Sequence, residues 1–201
     1  NSLFISIVAT MGTLISSSLV AFGLSRCKFF GRRALFVAML LSMMLPAQVL
    51  MIPQYLWYQK LNWVGTNLPL IVPYCFAIQG FFVYMMTNFI EGIPRELDEA
   101  AKIDGANGWK TFWKITVPLL KPTIIMTFIM SINGTLQLFD ESVNLTKGGP
   151  ANSTITMSHY IYNTCFINVP NFGYAAAMSF IIFIMVAVLA FINLKVGDTR
   201  D

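Results

Sequence analysis

Five stretches of this chain carry no Asp, Glu, Lys or Arg: residues 1–25, 34–59, 61–90, 122–139 and 148–194. A helix rises about 1.5 Å per residue, so ~20 residues cross the ~30 Å hydrocarbon core of a bilayer, and each stretch supplies one such helix. The last supplies only one, because 148–173 is rich in Asn, Thr and Pro and the sustained apolar run begins near Tyr174. A soluble domain would scatter its charges, whereas here only 11% of residues are charged and they are grouped between the apolar runs. The expected fold is therefore all-α: one polytopic transmembrane helical bundle covering 1–201, with about five spans at roughly 1–24, 34–58, 67–90, 118–139 and 174–194.

The first run lacks the basic leader and the following polar domain of a signal peptide. The chain begins with Asn rather than Met, so upstream segments are expected to be missing. Cys27, Cys75 and Cys165 lie in different segments without a CxxC pairing and read as apolar packing residues rather than a disulfide or metal set. The net charge of +4 does not indicate nucleic acid, because the basic residues sit beside the spans.

Those residues orient the bundle. If the first span runs inward, Arg26, Lys28, Arg32, Arg33, Arg95, Lys102, Lys110, Lys114, Lys121, Lys195 and Arg200 lie in the cytoplasm, and only Lys60 and Lys147 lie outside. Eleven of 13 basic residues on one side is a strong positive-inside bias. It places the N-terminus outside, the C-terminus in the cytoplasm, residues 91–117 in a cytoplasmic loop and 140–172 in an outer loop. Pro46 and Pro53 in the second span, and Pro69 and Pro73 at the outer end of the third, kink or start helices, so the spans are not straight rods. The outer loop, with Gly148, Gly149, Pro150, Pro170, Tyr160 and Tyr162, is too long for a mere connector and is expected to fold toward the pore mouth or bind a partner.

Residues 91–121 hold ten of the charged residues, both signs interspersed, and must be solvated or bound to protein. Pro94 at a first turn, acids at Glu96, Asp98 and Glu99, and Lys102 late suit a helix and its dipole, and Gly105 supplies a stop. Asn107 is placed to cap a second short helix with Trp109, Phe112, Trp113 and Thr116 on one face and Lys110 and Lys114 on another, broken at Pro118. The pattern alone fits either an interfacial amphipathic helix or a protein-docking knob.

Here the chain resembles a known family. Glu99-Ala100-Ala101, Gly105, and Ile115 through Pro118 are similar to the EAA motif of permeases in binding-protein-dependent ABC importers, with Val117 where the family usually has Leu. The string from Ile93 to Ala106, the segment from Met44 to Pro53, Leu145-Thr146-Lys147-Gly148-Gly149-Pro150 and Phe172-Gly173-Tyr174-Ala175-Ala176-Ala177 resemble the carbohydrate branch, of maltose, lactose and multiple-sugar type. The resemblance implies that the loop is a coupling helix: Glu99, Ala100 and Ala101 dock on a cytoplasmic ATPase, Gly105 forms the turn and Asp104 helps hold it. It also implies a dimer of ABC ATPases, a second permease subunit, identical or homologous, and an extracytoplasmic sugar-binding protein. No GxxxxGK[ST] phosphate loop is present, so no cofactor is expected in this chain: ATP and Mg would be bound by the partner, and the chain itself is not an enzyme. The family is chiefly prokaryotic, so the sequons at Asn144 and Asn152 carry little weight.

Polar groups within the spans are candidates for the substrate pathway. Asn133 and Gln137 share a helix face and either bridge helices or line a cavity, and Gln79, Tyr84 and Asn88 offer the same choice in the third span. Asp140 and Glu141 read as a solvated boundary or a steering pair for the binding protein. His159, the only histidine, invites a catalytic grouping with Ser158 and Asp140, but no nucleophile motif accompanies it. The expected function is the transmembrane subunit of an importer, with a localisation in the inner membrane. Its rivals are a permease for an amino acid or peptide, and an ATP-independent transporter or structural subunit.

Overall fold

The computed structural model describes residues 1–197; Arg200, assigned above to the cytoplasmic side, lies outside the described residues. Among them every regular element is helical. In chain order these are α1 (Ser2–Arg26), α2 (Arg32–Met43), α3 (Ala47–Lys60), α4 (Leu68–Ile71), a 3-10 turn (Val72–Phe76), α5 (Gly80–Gly92), α6 (Glu96–Ile103) and α7 (Gly108–Thr111). A π-helical turn (Phe112–Thr116), α8 (Val117–Leu119) and α9 (Lys121–Leu136) follow. The outer segment holds a π turn (Ser142–Thr146), a 3-10 turn (Pro150–Asn152), α10 (Met157–Tyr162) and a further π turn (Asn163–Ile167), before α11 (Phe172–Gly197).

Three stretches, Ser2–Arg26, Leu68–Gly92 and Phe172–Ile192, are long and apolar enough to cross a bilayer, and the total reaches five if each of two bent pairs is one span. The second expected span, 34–58, is not a single kinked rod. Pro46 lacks an N–H and disfavours helix at Leu45, so α2 stops and α3 restarts with its axis turned by 106°. With 12 and 14 residues, neither helix alone reaches across. The fourth span, expected at 118–139, is likewise bent, by 74° between Gly108–Leu119 and Lys121–Leu136.

At the centre stands α1, which packs against α5, α9 and the 3-10 turn. One apolar cluster joins Ala21 and Leu24 to Val83, Met86, Ile90 and Leu120, and another joins Ile5 to Leu70 and Leu138. The facing surfaces of α1 and α9 are hydroxyl-rich: Thr10 Oγ1 lies 3.4 Å from both Thr135 Oγ1 and Ser131 Oγ. Small and hydroxylated residues let membrane helices approach closely where hydrophobicity offers no driving force between helices and lipid.

The third span is broken at 77–79, where Ala77 takes a left-handed conformation (φ 54°). Ser16 of α1 repairs the break: its Oγ accepts the Ala77 N–H at 3.1 Å and lies 2.7 Å from the Gly12 carbonyl and 3.2 Å from the Tyr74 carbonyl. One turn away, Gly12 makes room for the 3-10 turn, since a Cβ there would stand 2.5 Å from Cys75 Sγ and 3.2 Å from its Cα. Gly12→Val is therefore expected to cost about 1–3 kcal/mol through overpacking, read as an earlier thermal transition of the detergent-solubilised chain. Gly23→Val, where a Cβ meets nothing within 4 Å, is the control expected to change little.

Candidate functional site

The charged loop, 91–117, folds as two short helices around a glycine. Helix α6 carries Glu96, Asp98 and Glu99 in its first turn and Lys102 in its last, matching the helix dipole. Its end is closed by the backbone: Ala106 N–H donates to the Ala101 carbonyl at 2.8 Å, Gly105 N–H to Lys102 at 3.0 Å and Asp104 N–H to Ala100 at 3.0 Å. Gly105 has φ 76°, and a Cβ there would meet nothing within 4 Å, so conformation rather than space calls for glycine. Asp104 contributes to that closure through its backbone N–H. Asn107 caps α7, its Oδ1 accepting the Lys110 N–H at 2.9 Å.

The residues expected to dock divide between two faces. Glu99, Ala100 and Gly105 face outward, but Ala101 is only 7% exposed and packs into its own chain, so it is no part of a free docking surface. The reason is helical geometry: Ala101 falls three residues after Asp98, on the face that turns toward α1. On the free side the structure adds Leu97 and Ile103, the latter 87% exposed; their apolar spacing with Ala100 was readable in the sequence but overshadowed by the charges. Beyond Asn107, the π turn splits the expected aromatic face. Phe112 and Thr116 are buried, Phe112 meeting Phe22 of α1 edge-on at 5.1 Å, while Trp109 and Trp113 stay half-exposed. Ile115 is half-buried and Pro118 exposed.

Arg26, read from the sequence only as an orientation signal, ties this knob to the bundle. Its Nη2 donates to the Ile93 carbonyl at 2.7 Å and its Nε lies 3.0 Å from Asp98 Oδ2, with the two side chains 9% and 16% exposed. The last residue of the central helix thus grips both the loop entry and α6. Arg32 pairs with Glu91 at 3.0 Å in a far more open setting. Asp98→Asn, which strands a buried guanidinium, is expected to cost about 3 kcal/mol, and Arg32→Gln less than about 1 kcal/mol, both measured by denaturant unfolding in micelles.

The five proposed pathway residues do not converge on one pocket. Gln79 lines a cavity of about 270 Å³ together with Gln54, Tyr58, Tyr74 and Glu141. Asn133 faces a narrow crevice against Val186, Leu189 and Ala190 of α11 and accepts a hydrogen bond from Gln137 Nε2 at 3.3 Å. Tyr84 lies beside Phe36, 6.3 Å between ring centres, and Asn88 is exposed on α5. Helix periodicity put these residues on faces but carried no information on which faces meet. The acids at the fourth span's end also part company: Asp140 is exposed, while Glu141 turns into the cavity, where burial above all pushes its carboxyl above the usual value, against a backbone hydrogen bond that lowers it and with a smaller upward push from Asp140.

The outer segment is an ordered cap. Ser142 Oγ lies 2.9 Å from His159 Nδ1 and donates to the Thr154 carbonyl at 3.1 Å, Thr156 Oγ1 donates to the Leu138 carbonyl at 2.8 Å, and Met157 N–H donates to Ser2 Oγ at 2.8 Å. His159 thus pairs with Ser142 inside the cap, rather than with Ser158 and Asp140. Burial lowers its pKa from the ordinary value of 6.5. The unfolded chain takes up this proton near the ordinary value and the folded cap resists it, so stability is full above about pH 6.5 and declines as pH falls below it. The thermal midpoint should fall as the pH is lowered below about 6.5, with a shallower slope in His159→Gln.

Comparison with known proteins accords with this geometry. Residues 5–197 match the family described as binding-protein-dependent transport system inner membrane component. The lactose transport system permease protein of Rhizobium radiobacter is 48% identical over 123 residues, 60% of this chain and 41% of that protein. The multiple sugar-binding transport system permease protein of Streptococcus mutans is 35% identical over 137 residues, 68% of this chain and 42% of that protein. The matched part of this chain thus spans less than half the length of these relatives. In fold, it is similar to a chain of a bacterial ABC transporter involved in the import of the acidic polysaccharide alginate, with a TM-score of 0.79 at 23% identity over 100% of this chain and 72% of that one. With nearly its whole length matched, the chain belongs to the family of inner membrane components of binding-protein-dependent transport systems.

Proposed function

We propose that this chain is the transmembrane subunit of an ATP-binding-cassette importer and forms part of the path of a sugar or oligosaccharide delivered by a solute-binding protein. The observation that carries the reading is the α6–Gly105–α7 knob, with an exposed apolar tip at Leu97, Ala100 and Ile103, held to the end of α1 by Arg26. A second observation supports the sugar class: the lactose and multiple-sugar names of the relatives cited above.

In this proposal Glu99, Ala100 and Gly105, with Asp104 at the turn, present the knob to a cytoplasmic ATPase dimer, while Ile115 and Pro118 set the return into the membrane. ATP and Mg belong to that partner, and the chain does no bond chemistry itself. ATPase closure pushes the knob, Arg26 passes the displacement to α1, and the bent pairs rock against a second permease subunit so that a central site opens alternately to either side. Gln79, Asn133 and Gln137, with Tyr84 and Asn88, supply neutral donors and acceptors along the path. The chain sits in the inner membrane with its N-terminus outside and its C-terminus in the cytoplasm, as the positive-inside bias supports.

Gly105→Pro forces φ to about −65° where 76° is needed, and Glu99→Lys reverses a charge on the free face. Each should lower ATPase co-purification and sugar uptake by roughly tenfold or more, the equivalent of about 1.4 kcal/mol, with the chain still present in the membrane. Uptake and ATPase recovery unchanged in both variants would remove the coupling role.

A further inference from the structure

The cavity between α3, the 3-10 turn and the root of the outer segment has a chemistry that neither the family match nor the coupling argument uses. Its wall holds the rings of Tyr58 and Tyr74, the amides of Gln54 and Gln79, and the carboxyl of Glu141. Its volume, about 270 Å³, lies near the lower end for small-molecule sites, about 300–1,000 Å³. Aromatic faces and amides suit a pyranose, which shows apolar C–H faces and a rim of hydroxyls, and a carboxylate accepts two adjacent hydroxyls at once. No Lys, Arg or His lines the wall; Lys147, the cation on the neighbouring outer segment, is held over Tyr55 at 5.8 Å, outside the lining.

We propose that this cavity is a sugar subsite on the outer half of the pathway and that Glu141 makes it selective for uncharged sugars over uronates and other anionic sugars. The inference rests on the sugar-importer reading and names the substrate class within it. A uronate entering here brings a second carboxylate into a partly dry cavity whose other ionisable groups, Tyr58 and Tyr74, carry no positive charge, with Asp140 adjacent in sequence. Two carboxylates that close do not both stay ionised, and nothing in the wall offers the compensating cation. A neutral sugar brings only hydroxyls, which Glu141, Gln54 and Gln79 can satisfy.

The test is uptake of labelled neutral oligosaccharides (lactose, maltotriose, mannotriose) and of acidic ones (trigalacturonate, trimannuronate) by cells carrying the intact transporter. The parent protein, Glu141→Gln and Gln54→Lys are compared, and the amount of chain in the membrane is measured in each. Neutral sugar should be preferred in the parent by roughly tenfold or more, and both variants should shift the neutral-to-acidic ratio toward the uronates by about that factor, the change equivalent to about 1.4 kcal/mol. Gln54→Lys reaches the same end by adding a cation, so it keeps the proposal open to refutation if Glu141→Gln does not accumulate. Sugar uptake with an unaltered ratio in whichever variants accumulate overturns the selectivity role of Glu141 and leaves the importer reading standing. Uptake of amino acids or peptides with no sugar taken up overturns the importer reading for sugars, and this inference with it.

Discussion

In hydrocarbon there is no water to satisfy a backbone group freed by a break in a helix, and this constraint governs how the bundle is assembled. The third span is interrupted at 77–79, and the left-handed turn at Ala77 leaves an N–H that an isolated helix would bury without a partner. Ser16 supplies the acceptor, and Gly12, one turn earlier, lets the 3-10 turn come close enough for that hydroxyl to reach. Central helix and broken span therefore depend on each other. The break then leaves Gln79 on the wall of the cavity, where a continuous helix would have closed its backbone.

Helix α1 has a second task at its C-terminal end. Arg26 ends the helix and binds both Ile93 and Asp98, so the element that fixes the broken span is also the one fastened to the knob. Through these contacts α6 is joined directly to the central helix of the bundle. The apolar meeting of Phe112 with Phe22 gives the second short helix its own hold on the same element. The other end is held differently, by hydroxyls: Ser142, Thr154 and Thr156, with His159, fold 140–172 into a cap joined to Ser2 at the start of α1.

The residues that were legible beforehand share one property: their effect is local. Gly105 and Asn107 were readable because a left-handed turn and an N-cap are decided within a few residues. What the structure added was in each case which side meets what. Ala101 belongs to the motif, yet it points inward because Asp98 on the same face is drawn to Arg26, a residue 72 positions away in the chain. Asn133 and Gln137 do share a face, but they bond each other beside α11 and away from Gln79. Asp140 and Glu141 look equivalent in sequence, and only the course of the chain beyond Leu136 separates a solvated acid from one aimed into a cavity.

By itself, the sequence determined that the chain forms several helices apolar enough to cross a membrane, that its charges gather in one loop between them, and where that loop turns. Those follow from the cost of placing charge in hydrocarbon and from backbone preferences of single residues, both additive along the chain. Tertiary structure alone decided that the second and fourth spans bend, that Ser16 repairs the third, that Arg26 holds the knob and that Glu141 faces inward. The reason is that these depend on groups far apart in sequence meeting at hydrogen-bonding distance, and no pattern along one segment encodes the position of another.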